Sequence, residues 1–94
     1  MTTRAAKKLF RIADEITAVD GQIAQVAAEL EAHRHIHDDA VRDAAVSGHY
    51  IDREEAGLTA ADVARFERSL AALSGRRAVL EERRKTWLAR LDTD

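Results

Sequence analysis

The chain has 94 residues and a formal net charge of −2; 46% of its residues are hydrophobic, 34% are charged, and it contains neither Cys nor Pro. The absence of Cys excludes disulfides, thiolate nucleophiles and Cys-based zinc sites. No apolar run approaches the roughly 20 residues that cross a membrane. We therefore expect one small cytoplasmic domain over residues 1–94, and the heavy use of Ala, Arg and Asp is typical of a high-GC bacterial genome.

The first predicted element is a long amphipathic helix over residues 3–46. Thr2 or Thr3 is placed to cap its start, and Gly48 is placed to follow its end. Apolar residues return every three and four positions, which is the heptad spacing of a helix that packs against another helix. The positions of this repeat are Leu9, Ile12, Ile16, Val19, Ile23, Val26, Leu30, His33 and His37.

A connection is predicted over residues 47–58 and a second helix over residues 59–92. Thr59 is a natural N-cap, Asp62 stands where a capping-box acid would, and Leu58 is placed for a hydrophobic staple. The second helix carries its own unbroken heptad repeat. Its positions are Val63, Phe66, Leu70, Leu73, Arg77, Leu80, Arg84, Trp87 and Leu91.

Two heptad repeats joined by one connection predict an all-α fold, an antiparallel two-helix coiled-coil hairpin. One register sets Leu30 opposite Leu73 and His37 opposite Phe66, but sliding the helices by one heptad preserves the pattern. In the first register the Arg residues of the second repeat need carboxylates to neutralise them. The nearest candidates are Glu29 for Arg77 and Asp20 for Arg84.

A lone hairpin of this length buries little surface and would be marginally stable. We therefore expect it to dimerise into a four-helix bundle, with a different helical protein as the alternative partner. Alanines beside both repeats widen the apolar face and permit close helix approach. The predicted interface residues are Ile16, Ile23, Leu30, Phe66, Leu70, Leu73, Leu80 and Trp87.

Positive charge is concentrated near both ends of the sequence. Residues 1–13 carry four Lys or Arg and no acid, and residues 76–90 carry six against two acids. An antiparallel hairpin makes these segments neighbours, and clustered cations of this kind indicate a site for nucleic acid or for an acidic protein surface. The few aromatic residues favour a solvated surface instead, and the apolar stripe is needed for packing, not for a membrane. The predicted basic end comprises Lys7, Lys8, Arg11, Arg83, Arg84 and Lys85.

The opposite end of the predicted hairpin is acidic. Its carboxylates are Asp38, Asp39, Asp43, Asp52, Glu54, Glu55 and Asp62, and the tip itself carries Asp38, Asp39, Asp52, Glu54 and Glu55. The chain resembles the transcription factors that enter the secondary channel of bacterial RNA polymerase in one respect. Those proteins also have a hairpin with carboxylates at its tip. The resemblance covers the tip alone, and it implies binding to the transcription machinery as a further alternative function.

His33 and His37 form the chemically most suggestive pair in the sequence. They lie four residues apart on one helical face, a spacing that lets two imidazoles share a metal ion. A dimer would bring two such pairs together, and zinc, nickel or copper would suit the resulting site. The alternative is a pair of polar residues that hydrogen-bond within the hairpin. Apart from such a metal, we expect no cofactor.

Nothing in the sequence predicts catalysis. Ser47, Ser69 and Ser74 have no base beside them, and Gly48 and Gly57 are isolated turn residues without a phosphate-binding pattern. A narrow helical bundle also offers little concave surface for a substrate. We therefore predict a non-catalytic helical module for protein–protein interaction or assembly, with no small-molecule substrate.

Overall fold

A computed structural model describes residues 3–91 of the chain. Helix α1 spans Arg4–Ser47 and helix α2 spans Tyr50–Leu91. Thr3, Gly48 and His49 are the only described residues outside these helices, and this part of the chain contains no strand. The two helices pack against each other, so the predicted all-α helical hairpin is confirmed.

Helix α1 begins with the predicted threonine cap. The Oγ1 atom of Thr3 accepts a hydrogen bond from the Ala6 N–H at 3.0 Å, and the Thr3 carbonyl accepts one from the Lys7 N–H at 3.0 Å. The first bond satisfies a backbone donor that a helix start leaves unpaired, and the second is the first intrahelical bond of α1. Thr3 is therefore the N-cap, and the other candidate, Thr2, lies outside the described residues.

Gly48 ends α1 as the sequence predicts. Its φ is +67°, and its N–H donates to the Ala44 carbonyl at 3.0 Å. This is the single-bond form of the left-handed helix stop, a conformation that glycine adopts without the penalty paid by a residue with a Cβ atom. The chain can therefore reverse direction with only Gly48 and His49 between the helices.

The predicted connection over residues 47–58 is wrong, because α2 begins at Tyr50. The Ser47 side chain accepts from the His49 N–H at 3.2 Å and donates to the Asp52 carboxylate in the first turn of α2. An acid at this position also interacts favourably with the helix dipole. These bonds provide a cap nine residues before the predicted start.

Thr59 consequently lies inside α2 and does not cap it, and the roles predicted for Leu58 and Asp62 at the helix start are also wrong. The hydroxyl of Thr59 donates to the Ala56 carbonyl at 3.0 Å. Asp52, Ala56 and Thr59 extend the heptad spacing toward the turn, and all three are less exposed than the residues around them. Because none of them is large and apolar, hydrophobic periodicity alone misses this part of the helix.

The chain forms two compact units, which we name by their position along the hairpin. The terminal unit comprises residues 1–23 and 72–94, and the turn unit comprises residues 24–71. The terminal unit holds the larger core, whose buried members are Ile12, Ile16, Val19 and Leu80. Ile23 and Trp87 are partly buried and pack against this core. In the turn unit the buried residues are Leu30, Ala40 and Thr59.

The helices adopt the register that is displaced by one heptad from the first one predicted. In the turn unit, His33 packs against the ring of Phe66, and His37 bonds to Thr59. The predicted pairing of His37 with Phe66 is therefore wrong. The two-residue turn explains the difference, because moving the start of α2 toward the turn shifts every pair of facing residues.

Candidate interaction surface

The hairpin covers the predicted interface residues only in part. Ile16, Leu30 and Leu80 are buried, with exposures of 6%, 3% and 2%. The other five are half-buried: Ile23, Phe66, Leu70, Leu73 and Trp87. Two packed helices leave both sides of their contact open, whereas four helices close it. The half-buried side chains are thus the part of the seam that a further helix could cover.

Additional apolar side chains lie fully outside the hairpin contact. Among the described residues the large exposed ones are Phe10, Ile36, Val41, Val46, Tyr50, Ile51, Leu58, Val79, Leu88 and Leu91. Several alanines predicted to flank the seam are exposed as well, namely Ala24, Ala27, Ala28, Ala32, Ala71, Ala72 and Ala78. Single exposed apolar residues are ordinary, and they indicate an interaction surface only where they lie side by side.

Arg77 occupies a seam position, and the structure shows how its charge is neutralised. Its Nε donates to Asp20 Oδ1 at 2.6 Å, and a second guanidinium nitrogen lies 3.3 Å from Glu81. The predicted partner was Glu29, and the difference follows from the one-heptad shift. The hydrogen bond from Arg77 lowers the pKa of Asp20 below its ordinary value, and the same bond raises the pKa of Arg77.

The predicted basic end is partly neutralised within α2. Arg84 pairs with Glu81 at 3.0 Å, where the prediction was Asp20, and Lys85 pairs with Glu82 at 3.1 Å. Both pairs are intrahelical; the Lys85–Glu82 pair is exposed and contributes little to stability, whereas the Arg84–Glu81 pair is half-buried. Three other predicted cations form no ion pair with any residue in the described range 3–91, namely Lys7, Arg11 and Arg83. The remaining one, Lys8, lies near the Trp87 ring.

Lys8 belongs to a cluster of cations around Trp87 that sequence reasoning missed. The Arg90 guanidinium lies 4.7 Å from the Trp87 ring centroid, that of Arg4 lies 5.8 Å away, and the Lys8 ammonium lies 6.0 Å away. Cations at these distances are attracted by the ring electrons. The three-residue spacing of Trp87 and Arg90 was the available signal, but the partners on α1 depended on the register.

The turn unit contains a cavity of about 260 Å³ with an acidic lining. It is lined by Ile36, Asp39, Ala40, Asp43, Asp52, Glu55 and Thr59. Three of the five acids predicted at the tip therefore meet here, whereas Asp38 and Glu54 do not line it. Asp39 is paired with Arg42 at 2.6 Å, and Asp52 accepts the Ser47 hydroxyl.

The two histidines proposed as metal ligands each have a partner within the hairpin. The His33 ring centroid lies 4.6 Å from that of Phe66, and His37 Nδ1 lies 2.9 Å from Thr59 Oγ1. Since the Thr59 hydroxyl already donates to Ala56, His37 is the donor in this bond, and its Nε2 remains an acceptor when the ring is neutral. Within residues 3–91, no three His, Asp or Glu side chains are grouped to hold a metal ion.

Neither helix, over its described residues, combines the length and the apolar character needed to cross a membrane. Comparison with known proteins identifies no relative: no family model, no curated protein and no solved structure matches the chain significantly.

Proposed function

We propose that this protein is a non-catalytic helical module that acts by protein–protein assembly, with a second copy of itself as the preferred partner. The observation that carries the proposal is the incomplete burial of the seam. Five of its predicted interface residues are half-buried in the isolated hairpin. Covering apolar surface contributes about 25 cal/mol per Å², so even partial coverage of several such side chains favours association.

A helical partner fits this surface better than an extended peptide or a small molecule. The exposed alanines on both helices allow another helix to approach closely, whereas bulky residues would keep it away. Two copies of one hairpin can satisfy the same apolar residues simultaneously through a two-fold interface. A different helical protein is the alternative partner, and it would use the same half-buried side chains.

The mass of the 94-residue chain in solution tests the proposal. Light scattering after size-exclusion chromatography should give about twice the chain mass of 10.4 kDa. Ile23→Asp should abolish the assembly, because it places a carboxylate at a half-buried seam position beside the core. Thr17→Asp, which adds the same charge at an exposed position of α1, should leave the mass unchanged. A single-chain mass at every concentration would contradict self-assembly.

A metal ion at the histidines is a second candidate, favoured by the geometry of His37. Its Nδ1 is engaged by Thr59, which leaves Nε2 as the possible metal-binding atom, an arrangement common to metal-ligating histidines. If the pair binds metal, zinc should raise the melting temperature of the natural protein and not that of the His33→Ala/His37→Ala variant. An equal zinc-induced rise in both proteins, or no rise in the natural protein, would end this candidate.

Binding of a polyanion is a third candidate, favoured by the charge of the terminal unit. Residues 1–23 and 72–94 carry ten Lys or Arg against seven Asp or Glu. If nucleic acid binds there, labelled DNA or RNA should show salt-sensitive binding that reversal of Arg83, Arg84 and Lys85 abolishes. Reversal of Arg34, Arg42 and Arg53 in the turn unit is the matched control. Binding that survives the first set of reversals would exclude this site.

A further inference from the structure

One heptad position of α2 carries an ordered change of charge along the chain. Its residues, spaced by seven, are Glu55, Asp62, Ser69, Arg76, Arg83 and Arg90. We call this set the charge column. It begins with two acids, passes through a neutral residue and ends with three arginines. All six lie outside the buried core: Asp62 is half-buried and the others are exposed.

The charges of the column are complementary to those of a second copy of the column that runs in the opposite direction. If the column is read backward against itself, Glu55 meets Arg90, Asp62 meets Arg83, and Ser69 meets Arg76. A parallel alignment would instead set each charge against its like, which is unfavourable. Charges at positions beside a helix contact commonly determine orientation and partner choice in this way.

We propose that a second copy of this chain docks antiparallel against α2 along the charge column, with Asp62 facing the partner's Arg83. The inference rests on the self-assembly proposed above and adds its geometry. The two copies make the same contacts in exchange, as a two-fold interface requires. The basic half of each column then lies beside the acidic half of the other.

The hairpin engages only part of the column, since Arg90 lies over the Trp87 ring while three other charged members form no ion pair within the described part of the chain. Within residues 3–91, neither Glu55 nor Arg76 nor Arg83 forms an ion pair, and the pair between Asp62 and Arg65 is long, at 3.6 Å. Arg77, one residue away at the seam, is by contrast bound to Asp20 and Glu81. The hairpin therefore neutralises its seam arginine and leaves Glu55, Arg76 and Arg83 for an external partner.

Apolar residues beside the column supply contact area for the same partner. The neighbouring heptad position of α2 holds Ile51, Leu58, Arg65, Ala72, Val79 and Thr86; all six are exposed, and four of them are apolar. In the terminal unit this surface forms a groove of about 370 Å³, lined by Ala78, Val79, Glu82, Arg83 and Thr86. Arg83 of the column thus stands at the edge of an apolar depression, which is the arrangement of a helix contact with a charged rim.

The distribution of charge favours a second copy over an acidic or basic partner of another kind. Residues 24–71 carry five Lys or Arg against ten Asp or Glu, the reverse of the excess in the terminal unit. A uniformly acidic partner would be attracted to the three arginines and repelled by Glu55 and Asp62. An antiparallel copy of the same chain has the required order of charges at both halves.

Two single reversals and their combination test the pairing in the 94-residue chain. Asp62→Arg should place an arginine opposite the partner's Arg83 at both symmetric contacts of the dimer. Arg83→Glu should place an acid opposite the partner's Asp62 at the same two contacts. Each should weaken the dimer about tenfold or more at low salt, measured by sedimentation. An equimolar mixture of the two variants should form a mixed dimer, and the Asp62→Arg/Arg83→Glu chain should dimerise again by itself. Glu67→Arg and Arg68→Glu, at exposed positions of α2 outside the column, are the matched controls and should dimerise normally.

The outcomes separate this inference from the function on which it rests. If the natural protein dimerises and both single reversals dimerise equally well, the antiparallel pairing is wrong and self-assembly stands. If the single reversals fail and neither the mixture nor the double variant recovers, the pairing of Asp62 with Arg83 is also wrong. If the natural protein stays monomeric, self-assembly and the pairing are both overturned. Circular dichroism establishes in each case that the variant remains helical.

Discussion

Arg77 and Asp20 join the two helices of the terminal unit through a 2.6 Å hydrogen bond between residues 57 positions apart in the sequence. Arg77 occupies a heptad position where an apolar residue is expected, so its guanidinium requires a carboxylate close by. Asp20 supplies that carboxylate from α1, and Glu81 supplies a second one from α2. A charged residue is thereby accommodated beside the largest core cluster.

We expect Asp20→Asn to reduce stability at neutral pH and to have progressively less effect in acid. Arg77 lowers the pKa of Asp20 in the folded chain, so the ionised carboxylate stabilises the fold. This contribution is present above the ordinary aspartate pKa of about 3.9 and is lost as the pH falls through the lowered folded value. Urea unfolding across this range should show the two proteins converging in acid. Asp14→Asn, at an exposed position of the same helix, should show no such convergence.

We expect Ile16→Ala to cost about 2–5 kcal/mol of unfolding free energy, because it leaves a cavity among buried side chains. Ile16 lies in the core cluster with Val19 and Leu80. Leu88→Ala removes a similar volume at a position that is 48% exposed and should cost less than half as much. Urea denaturation measures both changes. Equal losses for the two variants would mean that the cluster does not dominate stability.

We expect opposite effects from alanine at two glycines. Gly48→Ala should destabilise the hairpin by about 1–2 kcal/mol, because a Cβ atom is strained at a φ of +67°. Gly57 lies within α2 with no atom near the position of a new Cβ, and Gly57→Ala should stabilise by about 0.4–1 kcal/mol through reduced freedom of the unfolded chain. Thermal unfolding measures both. A harmless Gly48→Ala would argue against the left-handed stop.

We expect Thr59→Val to destabilise the turn unit by about 0.5–1.5 kcal/mol, because it removes the acceptor for His37 Nδ1 in a partly buried place. Thr86→Val is the control. Thr86 also donates to a carbonyl one turn back, that of Glu82, but it is exposed and has no histidine partner. Differential scanning calorimetry should give a lower melting temperature for Thr59→Val alone. Equal melting of both variants would contradict a stabilising bond to His37.

Much of the fold is predictable from periodicity. The residues at heptad positions become the buried or half-buried side of each helix, from Leu9 to His37 in α1 and from Val63 to Trp87 in α2. Leu91 is the exception, since it is exposed. The spacing is informative because helical geometry returns residues three and four apart to one face. The ends of α1 follow from equally local signals, the Thr3 cap and the Gly48 stop.

The start of α2 and the register were harder to predict for a shared physical reason. Between Tyr50 and Leu58 the inward positions hold Asp52 and Ala56, which carry too little apolar surface to reveal the period. The helix cap there depends on Ser47, a residue of the preceding helix. Once this segment is assigned to a loop, the turn moves and the facing pairs move with it.

Sequence periodicity predicts the apolar residues of the candidate surface but not the clusters of charged residues beside them. The half-buried residues Ile23, Phe66, Leu70, Leu73 and Trp87 follow from the heptad. The cations around Trp87 and the acids around the turn-unit cavity do not, because both depend on which residues of α1 face α2. The order of charges along the charge column is readable from sequence once α2 is known to begin at Tyr50.

The position of the main core also determines the order in which the hairpin can fold. Contacts beside Gly48 close short loops at low entropic cost, but that region buries little beyond Leu30, Ala40 and Thr59. The cluster of Ile16, Val19 and Leu80 is more stabilising and must close a loop of about sixty residues. The contacts that form most readily are therefore not those that stabilise the hairpin most. We expect the helices to begin pairing at the turn and the folded state to become stable only when the core of the terminal unit has formed.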